Sequence, residues 1–297
     1  MTALPRPVPH RPVRLLVLDV DGTLTTSGHE VSEVARDAVQ RVRAAGVRVM
    51  LATGRRYRDT LAVARRLAID TPLVTASGAL VKRPSDHATL ARAEFASGVL
   101  PAVLGIVSAR GHEAILYSDS YDRGIDFHCR SLVDAVTDAG SFGGGFREYL
   151  GRNRDVADVV PDLHEAPPEG VFAGFVMGRY EEMTALEAAL DGAVPGRLSL
   201  HTIKSPRYRD WMCEIAPAGV TKWSGVMSLA AGWGIAPDEI CAVGDDVNDV
   251  PMIRAAGLGI AMGNARPEVA RVAHAVVGSN DGQGIADVAD MILARLA

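Results

Sequence analysis

Residues 15–24 read LLVLDVDGTL, four apolar residues followed at once by two aspartates, Asp19 and Asp21, and then by a glycine. A short apolar run that ends in a turn signal predicts a buried β-strand. Similar runs alternate with amphipathic stretches of helical period along much of the chain. This alternation is typical of βαβ units, so the sequence predicts an α/β fold with a parallel sheet. Carboxylates that directly follow a strand fall at the edge of such a sheet, where ligands bind.

The two aspartates are suited to phosphoryl transfer. Transfer through an aspartate needs one carboxylate as the nucleophile and a second acid that protonates the leaving oxygen and then activates water. We assign the first role to Asp19 and the second to Asp21. A calcium loop of the EF-hand type is an alternative, but its sixth position requires glycine where this chain has Leu24, and a helix must precede it. A purely structural aspartate turn also stays open.

Two further segments could contact a phosphate. Thr53-Gly54-Arg55 ends another predicted strand, and Thr53 could offer its hydroxyl and backbone N–H to a phosphate oxygen; an ordinary turn is the alternative. Lys222 stands at a predicted helix start, where the helix dipole disfavours a cation unless an anion lies nearby. A phosphate would explain that lysine, which would offset the charge around Asp19. A solvated surface lysine is the alternative there.

The segment 244–249 reads GDDVND and places four polar residues in one short loop: Asp245, Asp246, Asn248 and Asp249. Carboxylates crowded in this way repel one another, and a divalent cation relieves the repulsion. Oxygen ligands beside a phosphate favour Mg²⁺. We take Asp245 as the first metal ligand of this loop, with a solvated acidic turn as the alternative.

These four segments, together with AMGNA at residues 261–265, resemble in order and type the signature motifs of the haloacid dehalogenase superfamily, and of its Cof-type branch of sugar-phosphatase-like hydrolases. The resemblance spans nearly the whole chain. It implies a Rossmann-like parallel-sheet core into which an α/β cap of class IIB is inserted. We expect a flexible tail at 1–12, a discontinuous core at 13–82 and 208–297, and the cap at 83–207.

The resemblance also implies roles for the aspartates of the motifs. Asp19 would be the nucleophile and a ligand of Mg²⁺. Asp21 would be the acid and base, with its backbone carbonyl on the metal. Asp245 would be a further metal ligand.

The residues expected to bind the phosphoryl group come from three motifs: Thr53, Gly54, Lys222 and Asn248. Thr53 and Lys222 would act on it during catalysis. Asp249 would hold Lys222 or a metal-bound water, and Asp246 would support the same loop.

The expected function is a Mg²⁺-dependent phosphatase that hydrolyses a small phosphorylated metabolite, a sugar phosphate or similar phosphomonoester, through a phosphoaspartate. We expect the cap to contact the part of the substrate that is not phosphate. Two alternatives stay open: a phosphomutase or phosphotransferase that uses the same phosphoaspartate, and a catalytically silent small-molecule-binding protein on this fold. Neither a G-x-G-x-x-G after the first strand nor a P-loop occurs, so dinucleotide binding and P-loop chemistry are not predicted.

Composition and charge narrow the choice of partners. The chain has 297 residues, 48% of them hydrophobic, and a net charge of -5 with its arginines scattered among acids, so nucleic acid is not an expected partner. Its three cysteines stand far apart without a C-x-x-C pair, which favours a reducing cytoplasm over disulfides or zinc. No signal peptide or membrane partner is predicted, and we expect a monomer or small homo-oligomer. The glycine run at 143–145 predicts a surface loop.

Overall fold

The structure is a computed structural model that describes residues 11–132, 144–205 and 207–296. All but the last two residues of the predicted tail lie outside the described residues. The chain divides into two compact units, Met1–Ala91 with Thr221–Ala297, and Arg92–Val220. Within the described ranges, no helix is both long enough and apolar enough to cross a membrane.

The secondary structure alternates strands and helices. In chain order the strands are β1 (Leu15–Leu18), β2 (Arg48–Leu51), β3 (Leu73–Thr75), β4 (Leu80–Lys82), β5 (Thr89–Arg92), β6 (Ala114–Ser118), β7 (Phe127–Cys129), β8 (Ala157–Val159), β9 (Val171–Gly178), β10 (Leu198–Lys204), β11 (Trp211–Pro217), β12 (Ile240–Gly244), β13 (Leu258–Ala261) and β14 (Ala275–Val276). The helices are α1 (Glu33–Ala44), α2 (Tyr57–Arg66), α3 (Val99–Ala109), α4 (Gly144–Arg152), α5 (Tyr180–Ala193), α6 (Lys222–Ala230), α7 (Val250–Ala255), α8 (Pro267–Ala270) and α9 (Gly284–Leu293).

The first unit is built on a five-stranded sheet in the order β14-β13-β12-β1-β2. All of its strand pairs are parallel, which confirms the predicted fold class. A parallel bridge between Ala52 and Val74 extends β2 toward β3, which itself belongs to a small sheet in the order β3-β4-β5. Because β1, β2 and β12 run in the same direction, the residues that follow them meet at one edge of the sheet.

Helix α1 shows how local sequence positions the elements around this sheet. The sequence predicts a helix from about Ser32 to Ala45, with Ser32 as its N-cap and Gly46 placed to end it. The hydroxyl of Ser32 accepts a hydrogen bond from the backbone N–H of Ala35 at 3.1 Å, which confirms the cap. Four residues of one helix face are buried, at the spacing of an amphipathic helix: Ala35, Ala38, Val39 and Val42. The helix ends just before Gly46, which takes a φ of 83°.

The second unit carries a six-stranded sheet in the order β10-β11-β9-β6-β7-β8. Apolar side chains of α3 and α5 form a core with one face of this sheet. The sequence predicts strands in the segments 111–118, 170–178 and 196–203, and the structure has β6, β9 and β10 there.

Strand β11 corrects the sequence analysis. The segment WMCEIA, residues 211–216, is predicted from the sequence to be a strand of the parallel core, which is expected to resume at residue 208. In the structure, β11 pairs antiparallel with β9 and β10 in the second unit. Its side chains Cys213 and Ile215 join the apolar core of that unit. The units therefore divide at 91/92 and 220/221, whereas the sequence places the boundaries at 82/83 and 207/208.

The glycine run gives a second correction. Gly144 and Gly145 lie in helix α4 instead of a loop, while Gly143 is outside the described residues. The backbone N–H of Gly145 donates to the carboxylate of Asp210 at 2.6 Å. A carboxylate at the first turn satisfies a free N–H group and favours the positive end of the helix dipole, so it stabilises a helix that glycines would otherwise disfavour.

Candidate active site

A buried lysine joins two aspartates at the edge of the parallel sheet. Lys222 begins α6, and its Nζ lies 2.7 Å from Oδ1 of Asp19 and 2.7 Å from Oδ1 of Asp249. The exposed fraction is 2% for Lys222, 4% for Asp19 and 0% for Asp249. Burial alone would lower the pKa of Lys222, but the two carboxylates outweigh it and raise that pKa, so the lysine is charged.

Helix α6 is fixed at its start by its own cap. The hydroxyl of Thr221 accepts from the backbone N–H of Ser224 at 3.1 Å, and the hydroxyl of Ser224 accepts from the N–H of Thr221 at 2.9 Å. This reciprocal capping box sets the position of the first helical residue, Lys222. The local sequence therefore directs the lysine at Asp19, which follows β1.

Both carboxylate oxygens of Asp249 accept hydrogen bonds from other groups of the protein. Its Oδ1 holds Lys222, and its Oδ2 accepts from the backbone N–H groups of Asp245 at 2.9 Å and Asp246 at 3.1 Å. The side chain of Asp246 accepts from the N–H of Val247 at 2.7 Å. Asp249 therefore shapes the loop after β12 and binds the lysine, which is one of the two roles that the resemblance implies for it.

Asp245 lies against the loop that follows β1. Its Oδ1 accepts from the hydroxyl of Thr23 at 2.8 Å. A Cβ at Gly22 would stand 2.3 Å from Oδ2 of Asp245, and Gly22 has a φ of +75°. Only glycine combines that backbone conformation with so close an approach, so the glycine of the DVDGTL segment makes room for the carboxylate.

Three carboxylates converge at this point. One oxygen each from Asp19, Asp245 and Asp249 lie within 4.8 Å of one another. Burial first, and then the neighbouring carboxylates, raise the pKa of Asp19 to about 7 and that of Asp245 to about 9. One lysine does not balance three buried carboxylates, so the cluster favours a further cation.

The donor set fits Mg²⁺. All of the clustered ligand atoms are carboxylate oxygens, which hard divalent cations prefer. Asp249 is committed to Lys222 and two backbone N–H groups. Asp19 and Asp245 are therefore the side chains of the cluster that could hold the ion, as the sequence predicts for both.

Asp21 is held by an arginine to which the sequence analysis gives no role. Nε of Arg55 lies 2.7 Å from Oδ2 of Asp21, and Nη2 lies 2.6 Å from Oδ1. Both side chains are largely buried, with exposed fractions of 10% for Arg55 and 14% for Asp21. Nδ1 of His29 lies 3.8 Å from Oδ1 of Asp21. This bidentate contact fixes the plane of the Asp21 carboxylate. The only feature of the sequence that could have indicated the contact is that an arginine follows Thr53-Gly54.

Thr53 follows β2 and is buried, but its backbone N–H donates to the carbonyl of Val74 at 3.0 Å. The prediction that this N–H holds a phosphate oxygen is therefore wrong, because the group completes the pairing with β3. The Thr53 hydroxyl accepts from the N–H of Arg55 at 3.2 Å and can still donate its own proton. Gly54, between them, is partly buried.

Asn248 has an exposed fraction of 5%. Among the described residues, its buried Oδ1 has no hydrogen-bond partner. A buried amide oxygen without a partner is costly, so this atom marks a place where a bound group could contact the protein.

The chain is similar to known proteins over most of its length. A family model described as haloacid dehalogenase-like hydrolase matches residues 16–288. The chain is 28% identical over 278 residues to the stress response protein YhaX of Bacillus subtilis, covering 92% of this chain and 91% of that protein. It is 26% identical over 274 residues to the 5-amino-6-(5-phospho-D-ribitylamino)uracil phosphatase YitU of the same organism, covering 92% and 94%.

Among solved structures, the subclass IIB sugar phosphatase BT4131 superposes with a TM-score of 0.75 at 20% identity, covering 94% of this chain and 98% of that chain. At this identity the likeness shows the fold.

Proposed function

Since the chain belongs to the haloacid dehalogenase-like hydrolases and is a phosphatase, we propose that it hydrolyses a small phosphomonoester through a covalent phosphate on Asp19, with Mg²⁺ bound beside it. Family membership confirms the resemblance seen in the motifs. The observation that carries the proposal is the buried contact between Lys222 and Asp19 inside a cluster of three carboxylates. A carboxylate oriented by a buried ammonium and surrounded by further acids suits nucleophilic attack on phosphorus.

The proposed reaction has two steps. An oxygen of Asp19 attacks phosphorus, the bond to the leaving oxygen breaks, and Asp21 gives that oxygen a proton. Asp21 then takes a proton from water, the water oxygen attacks phosphorus, and the bond to Asp19 breaks. Phosphate is released and both aspartates return to their starting state.

The other residues of the site position these groups. Lys222 fixes Asp19 and offsets the charge of the phosphoryl oxygens, and Asp249 keeps the lysine in place. The hydroxyl of Thr53 and the amide of Asn248 are available for the phosphoryl group. When bound, Mg²⁺ would supply positive charge to the phosphoryl oxygens and to the carboxylates of Asp19 and Asp245.

Arg55 is proposed to orient the acid and base. Proton transfer requires the Asp21 carboxyl group within hydrogen-bond reach of the leaving oxygen. The fork of Arg55 contacts both oxygens of Asp21, so it sets the direction in which that group points.

The unit Arg92–Val220 is proposed to be the inserted cap that the motifs imply. Its sheet and helices form their own apolar core. Support comes from the likeness of the chain to a subclass IIB structure over 94% of its length. A cytoplasmic location is proposed as well, since all three cysteines are free and buried, as a reducing compartment allows.

The proposed function is tested by phosphate release from phosphorylated metabolites and an aryl phosphate, with and without Mg²⁺. The matched blank is Asp19→Asn, which keeps the shape of the side chain but removes the nucleophile. We expect release that requires the metal and is absent from the blank. Release from no compound, or transfer of phosphate to a sugar hydroxyl in preference to water, would contradict the proposal.

A further inference from the structure

The segment AMGNA at residues 261–265 has no role in the reaction described above, yet it lies between two loops of the site. The backbone N–H of Met262 donates to the carbonyl of Gly244 at 3.1 Å, and that of Arg266, the residue directly after the segment, donates to the carbonyl of Asp245 at 2.9 Å. These two hydrogen bonds fix the backbone of Gly244 and Asp245 in the loop after β12.

Asn264 reaches from this segment to the other loop. Its Nδ2 donates to the carbonyl of Gly22 at 2.8 Å. Its Oδ1 accepts from the backbone N–H of Asn280 at 3.0 Å. Both ends of the amide are therefore used, although the residue is exposed. The donor contact spans 242 residues of the chain and the acceptor contact spans 16, and together they hold this exposed side chain in one orientation.

The carbonyl that Asn264 holds belongs to the peptide between Gly22 and Thr23. That peptide sets the position of the Thr23 hydroxyl, which donates to Oδ1 of Asp245 at 2.8 Å. It also sets the position of the Gly22 Cα, against which the Asp245 carboxylate packs. A displacement of this peptide therefore moves the surroundings of Asp245 on two sides.

We propose that Asn264 is a positioning residue that fixes the Gly22–Thr23 peptide and thereby orients the Asp245 carboxylate for Mg²⁺. The identity of the ion as Mg²⁺ rests on the proposed function, whereas the contacts of Asn264, Thr23 and Asp245 are those of the structure. Side chains that orient metal ligands from outside the ligand set commonly change metal affinity or activity by about 10- to 100-fold when removed. Because Asn264 acts through a peptide, we expect an effect near the lower end.

The neighbouring Asn280 supplies a matched control. Its Nδ2 donates to the carbonyl of Thr25 at 2.8 Å, so it makes the same kind of contact with the same loop, three residues farther along. A general loss of loop order would appear in both variants. An effect through the Gly22–Thr23 peptide would appear with Asn264→Ala and not with Asn280→Ala.

The test is calorimetric titration of Mg²⁺ into the full-length wild type, Asn264→Ala and Asn280→Ala, with the thermal midpoint of each. We expect the dissociation constant for Mg²⁺ to rise about 10-fold in Asn264→Ala and by less than about twofold in Asn280→Ala. Similar thermal midpoints of the two variants would separate this effect from stability. Saturating Mg²⁺ should restore most of the turnover of Asn264→Ala, because its catalytic groups remain.

Unchanged Mg²⁺ affinity in Asn264→Ala, or an equal loss in both variants, would overturn the inference while leaving the proposed function intact. A wild type that binds no Mg²⁺ would also overturn it. If the wild type binds Mg²⁺ but releases phosphate from no substrate, the proposed function fails, and the three affinities still decide the role of Asn264.

Discussion

Arg55 contacts both carboxylate oxygens of Asp21, at 2.7 Å through Nε and 2.6 Å through Nη2, and both side chains are largely buried. A lysine could replace the charge but not the planar fork. In the proposed mechanism, the direction of this carboxylate matters because Asp21 must reach first the leaving oxygen and then a water molecule.

Arg55→Lys should therefore lower kcat by roughly 10- to 100-fold, at or below the lower end of the roughly 10²- to 10⁴-fold contribution of a general acid and base, because the variant keeps Asp21 and misdirects it. Steady-state kinetics with an aryl phosphate and with a phosphate ester of an alcohol would measure it. The matched control is Arg56→Lys, since Arg56 contacts Asp59 through Nε and Nη2 on the first turn of α2. Equal kcat values for Arg55→Lys and the wild type would remove Arg55 from the mechanism.

Gly22→Ala should lower activity in addition to straining the backbone. A methyl group there would stand 2.3 Å from Oδ2 of Asp245, whereas a Cβ at Gly46 would meet nothing within 4 Å. Both glycines have positive φ, 75° and 83°, so alanine at either costs about 1–2 kcal/mol of backbone strain. Only Gly22→Ala should also displace Asp245.

Urea unfolding and phosphate release, measured on Gly22→Ala and Gly46→Ala, separate these effects. We expect Gly46→Ala to keep its activity, and Gly22→Ala to lose activity by more than about 10-fold, as for other disturbances of metal-ligand orientation. Full activity in Gly22→Ala would mean that Asp245 does not need the position seen here.

Lys222→Met should reduce both turnover and stability. Removal of the ammonium leaves Asp19 and Asp249 buried without their shared partner, and breaking a buried ion pair costs about 3–5 kcal/mol. Turnover should fall by at least about 100-fold because the phosphoryl oxygens lose a preorganised charge.

Lys82→Met is a useful comparison for Lys222→Met, since Lys82 is equally buried, at 2%, and contacts Thr89 outside the site. Turnover and the urea midpoint should be measured together on both variants. If Lys222→Met lost stability but kept its turnover, the lysine would serve the fold alone.

His128, in the second unit, should make the protein less stable in acid. The imidazole of His128 bonds to Ser118 at 2.6 Å and to Asp158 at 2.9 Å, and joins three neighbouring strands. Burial lowers the pKa of His128 more than Asp158 raises it. The folded form thus binds fewer protons than the unfolded chain, whose histidine pKa is about 6.5. Stability should therefore fall as the pH drops through and below that value.

Thermal midpoints between pH 7.5 and pH 5 would measure this dependence. His128→Gln removes the titrating group, so its midpoint should vary less with pH than that of the wild type. Parallel curves for the two proteins would assign the acid sensitivity to other groups.

The sequence predicted those parts of the molecule that local chemistry determines. Ser32 caps α1 because a hydroxyl before a helical run satisfies a free N–H. Asp19 and Asp245 meet because both follow strands of one parallel sheet, and parallel strands end at the same edge.

The remaining features depend on contacts between distant residues. The alternation in Trp211–Pro217 predicts a strand but not the sheet in which it pairs, so its assignment to the core was wrong. Arg55 stands beside a motif, yet only the fold shows that its side chain reaches Asp21, thirty-four residues earlier. The predicted bond from the backbone N–H of Thr53 to a phosphate failed because that N–H donates to the carbonyl of Val74, a contact that the sequence alone does not show.

The central claim is that Asp19 carries the phosphoryl group. Its most direct test is acid quenching of the enzyme during turnover of a ³²P-labelled substrate with Mg²⁺, followed by peptide mapping. We expect label on the peptide that contains Asp19, lost when unlabelled substrate is added before quenching, and no label on Asp19→Asn. A wild type that turns over without ever carrying label there, together with phosphate release by Asp19→Asn at the wild-type rate, would contradict the claim.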